Sequence, residues 1–274
     1  MKIQRHRLQA DPGAAFDFQA SPNVGDRFEP RYLVMHYTAG RSTAESVRWL
    51  CARAAGASAH LVIGRDGSVT QLVPFDRVAW HAGPSRWQGL TGLNQHAIGI
   101  ELDNAGRLTR QGGAWRAWFG ATYTDDEVME ATHKHETVSS GWHVYTPEQI
   151  DRSLEVAAAL IRAYDLEDVL GHEDISPGRK SDPGPAFPMA SFRSRLLGRR
   201  DDAPPRFAAS AALNIREGPG TMHAKLAMSP LPPGTEVEVL RESGVWRFVD
   251  VVGEVGGDHD VQGWVHGDYL RPIE

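Results

Sequence analysis

The segment from Gly171 to Gly184, Gly-His-Glu-Asp-Ile-Ser-Pro-Gly-Arg-Lys-Ser-Asp-Pro-Gly, restricts the fold more than any other part of the chain. Pro177 and Pro183 fix φ, while Gly178 and Gly184 admit turns closed to other residues, so the loop has few shapes open to it. In such a loop His172 and Asp182 can converge although they lie ten positions apart, and Lys180 brings a cation beside them. An imidazole and a carboxylate are both good ligands for zinc, and a metal with an adjacent ammonium points to hydrolysis. A third ligand has to come from another part of the chain.

With 274 residues, the chain suits one large domain or two, and 41% hydrophobic content suffices for a real core. A net charge of -6, with no block of five or six like charges, gives no electrostatic reason to expect a nucleic-acid partner. The lone Cys51 has no internal disulfide partner and sits in a helical pattern, which predicts a small buried apolar residue. Met1 to Asp17 lacks the apolar centre of a signal peptide, and the longest apolar run, Val156 to Ile161, is far too short to span a bilayer. The expectation is a cytoplasmic protein with no membrane span; release or export by a non-classical route is the alternative.

Charge and proline replace hydrophobic periodicity at Gly198-Arg199-Arg200-Asp201-Asp202-Ala203-Pro204-Pro205, after a short helical pattern at Phe192 to Leu197. This divides the chain into a first domain over 1–198, a linker over 199–205 and a second domain over 206–274. The first predicts α/β architecture, a mixed central β-sheet flanked by helices. Arg31 to Tyr37 is apolar on both faces, as a covered strand is, and His36 lies near its end. Ser42 with Glu45 forms a capping box ahead of Val47, Leu50, Cys51 and Ala54. Ala59 to Ile63 and Val69 to Val73 flank the turn Arg65-Asp66-Gly67-Ser68 as a hairpin. A helix capped by Thr146, with Pro147 in its first turn, is expected to bury Ile150, Leu154, Ala157, Ile161 and Tyr164. The second domain shows short β-like runs between Gly/Pro turns, which predicts a small all-β module.

In Ala97-Ile98-Gly99-Ile100-Glu101-Leu102-Asp103, strand alternation sets Ala97, Gly99, Glu101 and Asp103 on one face. The small residues there predict an open floor where a ligand approaches, with Glu101 projecting into a cleft. Catalytic zinc takes three protein ligands and keeps a fourth position for water, and His36, His172 and Asp182 make such a set. Glu101 suits the proton acceptor and Lys180 the group that stabilises an oxyanion.

These residues stand in five ordered blocks: Val34-Met35-His36-Tyr37-Thr38-Ala39-Gly40; Ser58-Ala59-His60-Leu61-Val62-Ile63 with Arg65-Asp66-Gly67; Ala79-Trp80-His81-Ala82-Gly83; Asn94 with Ile98-Gly99-Ile100-Glu101; and the Gly171 to Gly184 loop with Phe187-Pro188. Over roughly Tyr32 to Phe192 the chain resembles the type 2 N-acetylmuramoyl-L-alanine amidases, a zinc superfamily that includes peptidoglycan recognition proteins. The resemblance implies Zn²⁺ held by His36, His172 and Asp182, catalytic roles for Glu101 and Lys180, and cleavage of the N-acetylmuramic acid to L-alanine amide in peptidoglycan or muropeptides. His60 and His81, with Trp80 and Asn94 of the same blocks, are expected to bind substrate in the cleft without ligating metal. A non-catalytic peptidoglycan-binding module is the alternative, disfavoured because all three ligands are present.

The segment Asn104 to Tyr145 is longer than the shortest family members have and too long for bare loop. Its aromatics, Trp115, Trp118, Phe119, Tyr123, Trp142 and Tyr145, suit either a sugar-stacking wall or a subdomain with its own small core, and the subdomain is favoured. His133-Lys134-His135-Glu136 is read as one strand face and set aside as a metal site for want of a pinned carboxylate. The C-terminal module, with Leu213 to Pro219 and Gly263-Trp264-Val265, resembles a bacterial SH3 domain, which implies attachment to cell wall.

Overall fold

The apolar run Tyr32–Tyr37 forms a strand in a six-stranded sheet of the computed structural model, which describes residues 1–10, 16–198, 206–257 and 261–273. The sheet order is Asp168–Gly171, Tyr32–Tyr37, Ala97–Leu102, Leu61–Ile63, Val69–Gln71 and Asp17–Phe18. The first four strands run parallel, whereas Leu61–Ile63 and Val69–Gln71 pair antiparallel as the expected hairpin, so the sheet is mixed. Leu33, Val34, Ile98 and Ile100 are sealed from solvent, which matches strands covered on both faces.

The helix Thr43–Leu50 begins at Ser42, whose side chain accepts from the Glu45 amide, and it buries Val47 and Leu50 against Val62 and Leu72. The helix Pro147–Tyr164 begins at Thr146 in the same way. Its buried stripe runs through Gln149, Ser153, Val156, Ala157 and Leu160, which corrects the expected stripe: Ile150, Leu154, Ile161 and Tyr164 are half-buried flanks. Gln149 explains the rotation. Its amide donates to the carbonyls of Ile63 and Asp103, where two strands end, so a polar side chain is drawn to the centre of the buried face.

Between the Glu101 strand and this helix, the insertion builds a five-stranded antiparallel sheet in the order Thr122–Tyr123, Ala114–Arg116, Arg107–Gln111, Ser139–His143 and Val128–Thr132. Ala105, Leu108, Trp115 and Ala117 form its core, with Phe119, Tyr123 and Val128 packed against them. Residues 133–136 are the turn joining two of its strands and not a strand face.

The chain divides into two compact units, Met1–Phe187 and Pro188–Glu274, so the helix Met189–Leu197 groups with the second. The 199–205 linker lies outside the described residues. The second unit holds a five-stranded antiparallel sheet in the order Gln262–His266, Trp246–Val251, Glu236–Ser243, Arg206–Ala209 and Leu270–Pro272. Ile215, Leu231, Val237, Val249 and Val265 form its core. Among the described residues no helix is long and apolar enough to cross a membrane.

Candidate metal centre

Three neighbouring parallel strands end at one place. Register sets Glu101 beside His36 and Gly171 beside Met35, so His172, which follows at once, emerges at the same level. This is the carboxyl edge of the sheet, where open α/β sheets place their sites. Asp182 is drawn back to it by the Glu173 amide, which donates to the Asp182 carbonyl at 2.9 Å. His36 Nδ1, His172 Nδ1 and Asp182 Oδ2 then form a triangle with every side 2.9 Å. All three side chains are buried and share one potential cation position.

The outer nitrogens decide what this triangle can hold. His172 Nε2 lies 3.0 Å from the Ala82 carbonyl, which only accepts, and 3.3 Å from the Arg179 guanidinium, which only donates; the shorter contact assigns the proton to Nε2, so Nδ1 presents a lone pair. His81 Nε2 likewise faces the Ala97 carbonyl at 3.1 Å, which leaves His81 Nδ1 to accept from His36 Nε2 at 2.9 Å. His36 Nδ1 is therefore bare as well. Two imidazole lone pairs and a carboxylate converge with no proton among them, and a cation removes their mutual repulsion. Tetrahedral zinc bonds of roughly 2.0–2.1 Å need ligand separations of about 3.3 Å, a small opening of the triangle. The donor set fits that ion.

Burial, with the neighbouring His172, lowers the His36 pKa to about 4, so the ring is neutral at ordinary pH. Burial pushes Asp182 up, and His172 and His36 outweigh it and keep the carboxylate ionised only where an imidazole carries a proton on Nδ1 to donate; with both Nδ1 atoms bare, that part falls to a cation. Glu101 is different. Burial, and then the Asp182 charge, raise its pKa well above the usual carboxylate range, against the pull of Lys180. Glu101 Oε2 is sealed from solvent and has no hydrogen-bond partner among the described residues. Lys180 is exposed on the rim, near enough for its charge to act on both Glu101 and His36.

The residues expected to bind substrate in the cleft have other positions. His60 is fully buried, with Nε2 on the Arg77 carbonyl and Nδ1 accepting from the Gly99 amide. His81 stands behind His36, and Asn94 Oδ1 accepts from the amides of both His81 and Ala82, so it fixes the partners of both metal-facing histidines. Trp80 is 39% exposed beside Gly25, away from the cleft next to Glu101. Gly99 is not an open floor either: a Cβ there would lie 2.4 Å from the His81 ring, so glycine is required by the imidazole packed on it. Gly99→Ala is expected to cost about 1–3 kcal/mol by overpacking and to weaken metal binding roughly tenfold through displaced His81. Denaturant unfolding and a competitive metal titration would check the pair.

The neutral buried histidines carry a pH dependence. Burial lowers His60, like His36, to about 4. A depressed folded-state pKa means stability present above the unfolded value of about 6.5 and lost as pH falls toward 4, at about 1.4 kcal/mol per unit for each such histidine. The metal-free protein is expected to show this slope between pH 6.5 and 4 in denaturant midpoints; a flat profile would contradict it.

Sequence reasoning missed Glu173. Its buried carboxylate accepts from His133 Nε2 at 2.6 Å and pairs with Lys134 at 2.9 Å, while Lys134 also reaches Asp174. The 133–136 turn therefore clamps the metal-bearing loop. Tyr145 adds a hydrogen bond to the Pro183 carbonyl at 2.8 Å, and Trp142 covers Gly184. Nothing in the local sequence pairs residues so far apart.

Buried donors of this kind at the carboxyl edge of a mixed α/β sheet form a candidate site for one metal ion. A family model described as N-acetylmuramoyl-L-alanine amidase matches residues 26–185, and the chain belongs to that family. It is similar to the 1,6-anhydro-N-acetylmuramyl-L-alanine amidase AmpD of Escherichia coli (strain K12), 37% identical over 138 residues, which is 50% of this chain and 56% of the relative. It is also similar to the N-acetylmuramoyl-L-alanine amidase AmiD of the same organism, 35% identical over 137 residues, 49% of this chain and 40% of the relative. The match thus spans about half the length of these relatives. Among solved structures, a selenomethionine derivative of AmpD aligns with TM-score 0.48 and 27% identity over 72% of this chain and 100% of that one.

Proposed function

We propose that the protein is a zinc-dependent amidase that hydrolyses the bond between N-acetylmuramic acid and L-alanine in peptidoglycan or muropeptides. The observation that carries this reading is the proton-free triangle of His36, His172 and Asp182 beside an unpartnered Glu101 oxygen. Zinc held there would polarise the amide carbonyl and lower the pKa of water. Glu101 Oε2 takes a proton from the attacking water and delivers it to the alanine nitrogen as the C–N bond breaks. The raised pKa of Glu101 suits it to both transfers. The Lys180 ammonium stabilises the negative charge that develops on the carbonyl oxygen.

AmiD of E. coli, solved in complex with the substrate anhydro-N-acetylmuramic acid-L-Ala-D-γ-Glu-L-Lys, aligns with TM-score 0.46 and 29% identity over 69% of this chain and 61% of that one. A substrate of that class is what the family would bring here. The domain reading is an amidase domain over 1–198 and a bacterial SH3-like domain over 206–274, the latter supported by the five-stranded antiparallel sheet and its small core. Such a module would hold the enzyme near polymer and raise local substrate concentration.

Mass spectrometry of products from purified peptidoglycan and from soluble muropeptides, with and without chelator, tests the proposal. Stem peptides with a free L-alanine amine should appear, and chelation should abolish them. Cleavage between sugars, or binding without product, would overturn it, the latter in favour of a recognition module.

A further inference from the structure

A cleft of about 420 Å³ runs outward from Glu101 between the helix Thr43–Leu50 and the insertion, lined by Arg41, Glu45, Trp49, Trp118 and Phe119. Two hydrogen bonds lock its walls together. Trp118 Nε1 donates to the Ala39 carbonyl at 2.8 Å, and Arg41 donates to the Phe119 carbonyl at 2.8 Å while its guanidinium lies over the Phe119 ring. Ala39 adopts φ 48°, a left-handed conformation that a non-glycine residue keeps only where its surroundings impose it. Trp118 is nonetheless 79% exposed and Trp49 59%. The indole polar edge of Trp118 is occupied, so what it presents to the cleft is a large apolar face held in one orientation.

We propose that this cleft is a subsite for a neutral pyranose ring of the substrate's glycan, stacked on Trp118 and flanked by Trp49. The inference rests on the amidase reading, because Glu101 belongs both to the metal centre and to the cleft lining, so a substrate whose amide lies at the metal continues into this space. Charge selects the occupant. Arg41 and Glu45 cancel at the rim and Glu101 adds no positive charge, so the lining offers no net attraction to the carboxylates of a stem peptide, whereas a sugar ring is uncharged and has an apolar face. The insertion is what supplies Trp118, which gives that segment a binding role beyond its own core.

The test compares wild type, Trp118→Ala and Trp118→Phe on two substrates: a disaccharide-bearing muropeptide and a lactoyl-peptide with the same stem but no sugar. Trp118→Ala should lower kcat/KM for the sugar-bearing substrate by about tenfold, mostly through KM, with Trp118→Phe recovering much of it. On the lactoyl-peptide, which has no ring to stack, the loss should be several-fold smaller than on the sugar-bearing substrate. Equal loss on both substrates would assign the cleft to peptide or to structure, and no loss on either would remove the subsite. Calorimetric binding of the peptide-free disaccharide to the zinc-loaded protein needs no turnover. Weaker binding by Trp118→Ala supports the subsite even if the amidase reading fails, and identical binding overturns it even if that reading holds.

Discussion

Glu101→Gln is expected to lower kcat by roughly 10²–10⁴, the range typical for loss of a positioned acid–base group, while zinc content stays at wild-type level. Glutamine has the same shape, and Glu101 sits on a strand whose register beside His36 is fixed by backbone pairing, so the triangle of ligand atoms is untouched. What changes is proton capacity. An amide cannot take a proton from water, whereas the raised pKa of Glu101 strengthens its carboxylate as a proton acceptor. Stability points the same way. A carboxyl whose folded pKa is raised contributes stability that is present below its unfolded value and is lost as pH rises through the folded one. Glutamine removes that loss, so the metal-free variant should be no less stable than wild type at neutral pH. Turnover on muropeptides, metal analysis and thermal unfolding together read the outcome, and wild-type kcat in the variant would remove Glu101 as the base.

What could be read from the chain, and what could not, divides along sequence separation. The hairpin, both long-helix caps and the Tyr32–Tyr37 and Ala97–Leu102 strands follow from local rules, since period, caps and turn residues act over a few positions. The convergence of His36, His172 and Asp182 was legible because chemistry selects those residue types and the Pro/Gly loop limits where they can go. The positions of His81 and Gly99 were not. Alternation correctly put Gly99 on the face of Glu101, yet a small residue can mean open space or a neighbour that fills it, and only the packed His81 ring decides between them. Gln149 failed for a related reason: a hydrophobic stripe assumes polar residues face water, and this one satisfies two buried strand-end carbonyls. The clamp of Glu173 by His133 and Lys134 joins residues forty positions apart, beyond any periodicity.

Asp182→Asn is expected to abolish zinc binding and activity together while leaving the metal-free fold intact or slightly firmer. In the wild type the carboxylate meets two imidazole lone pairs at 2.9 Å each, an arrangement that needs a cation at its centre. An asparagine amide brings its own N–H, which can donate to His36 Nδ1 or His172 Nδ1 and relieve the repulsion without metal. Saturating zinc should raise the stability of wild type by about 4 kcal/mol at a thousand times its Kd, whereas the variant should show no zinc-dependent shift in Tm. His81→Ala sets the scale for comparison. It removes only the acceptor that orients His36, so zinc affinity should fall by roughly 10–100-fold, as is usual for an outer partner of a ligating histidine, and excess zinc should restore turnover. The two variants thus separate a ligand from its support by whether metal rescues them. Zinc affinity in Asp182→Asn equal to that of wild type would show that the ion, if bound, is held elsewhere.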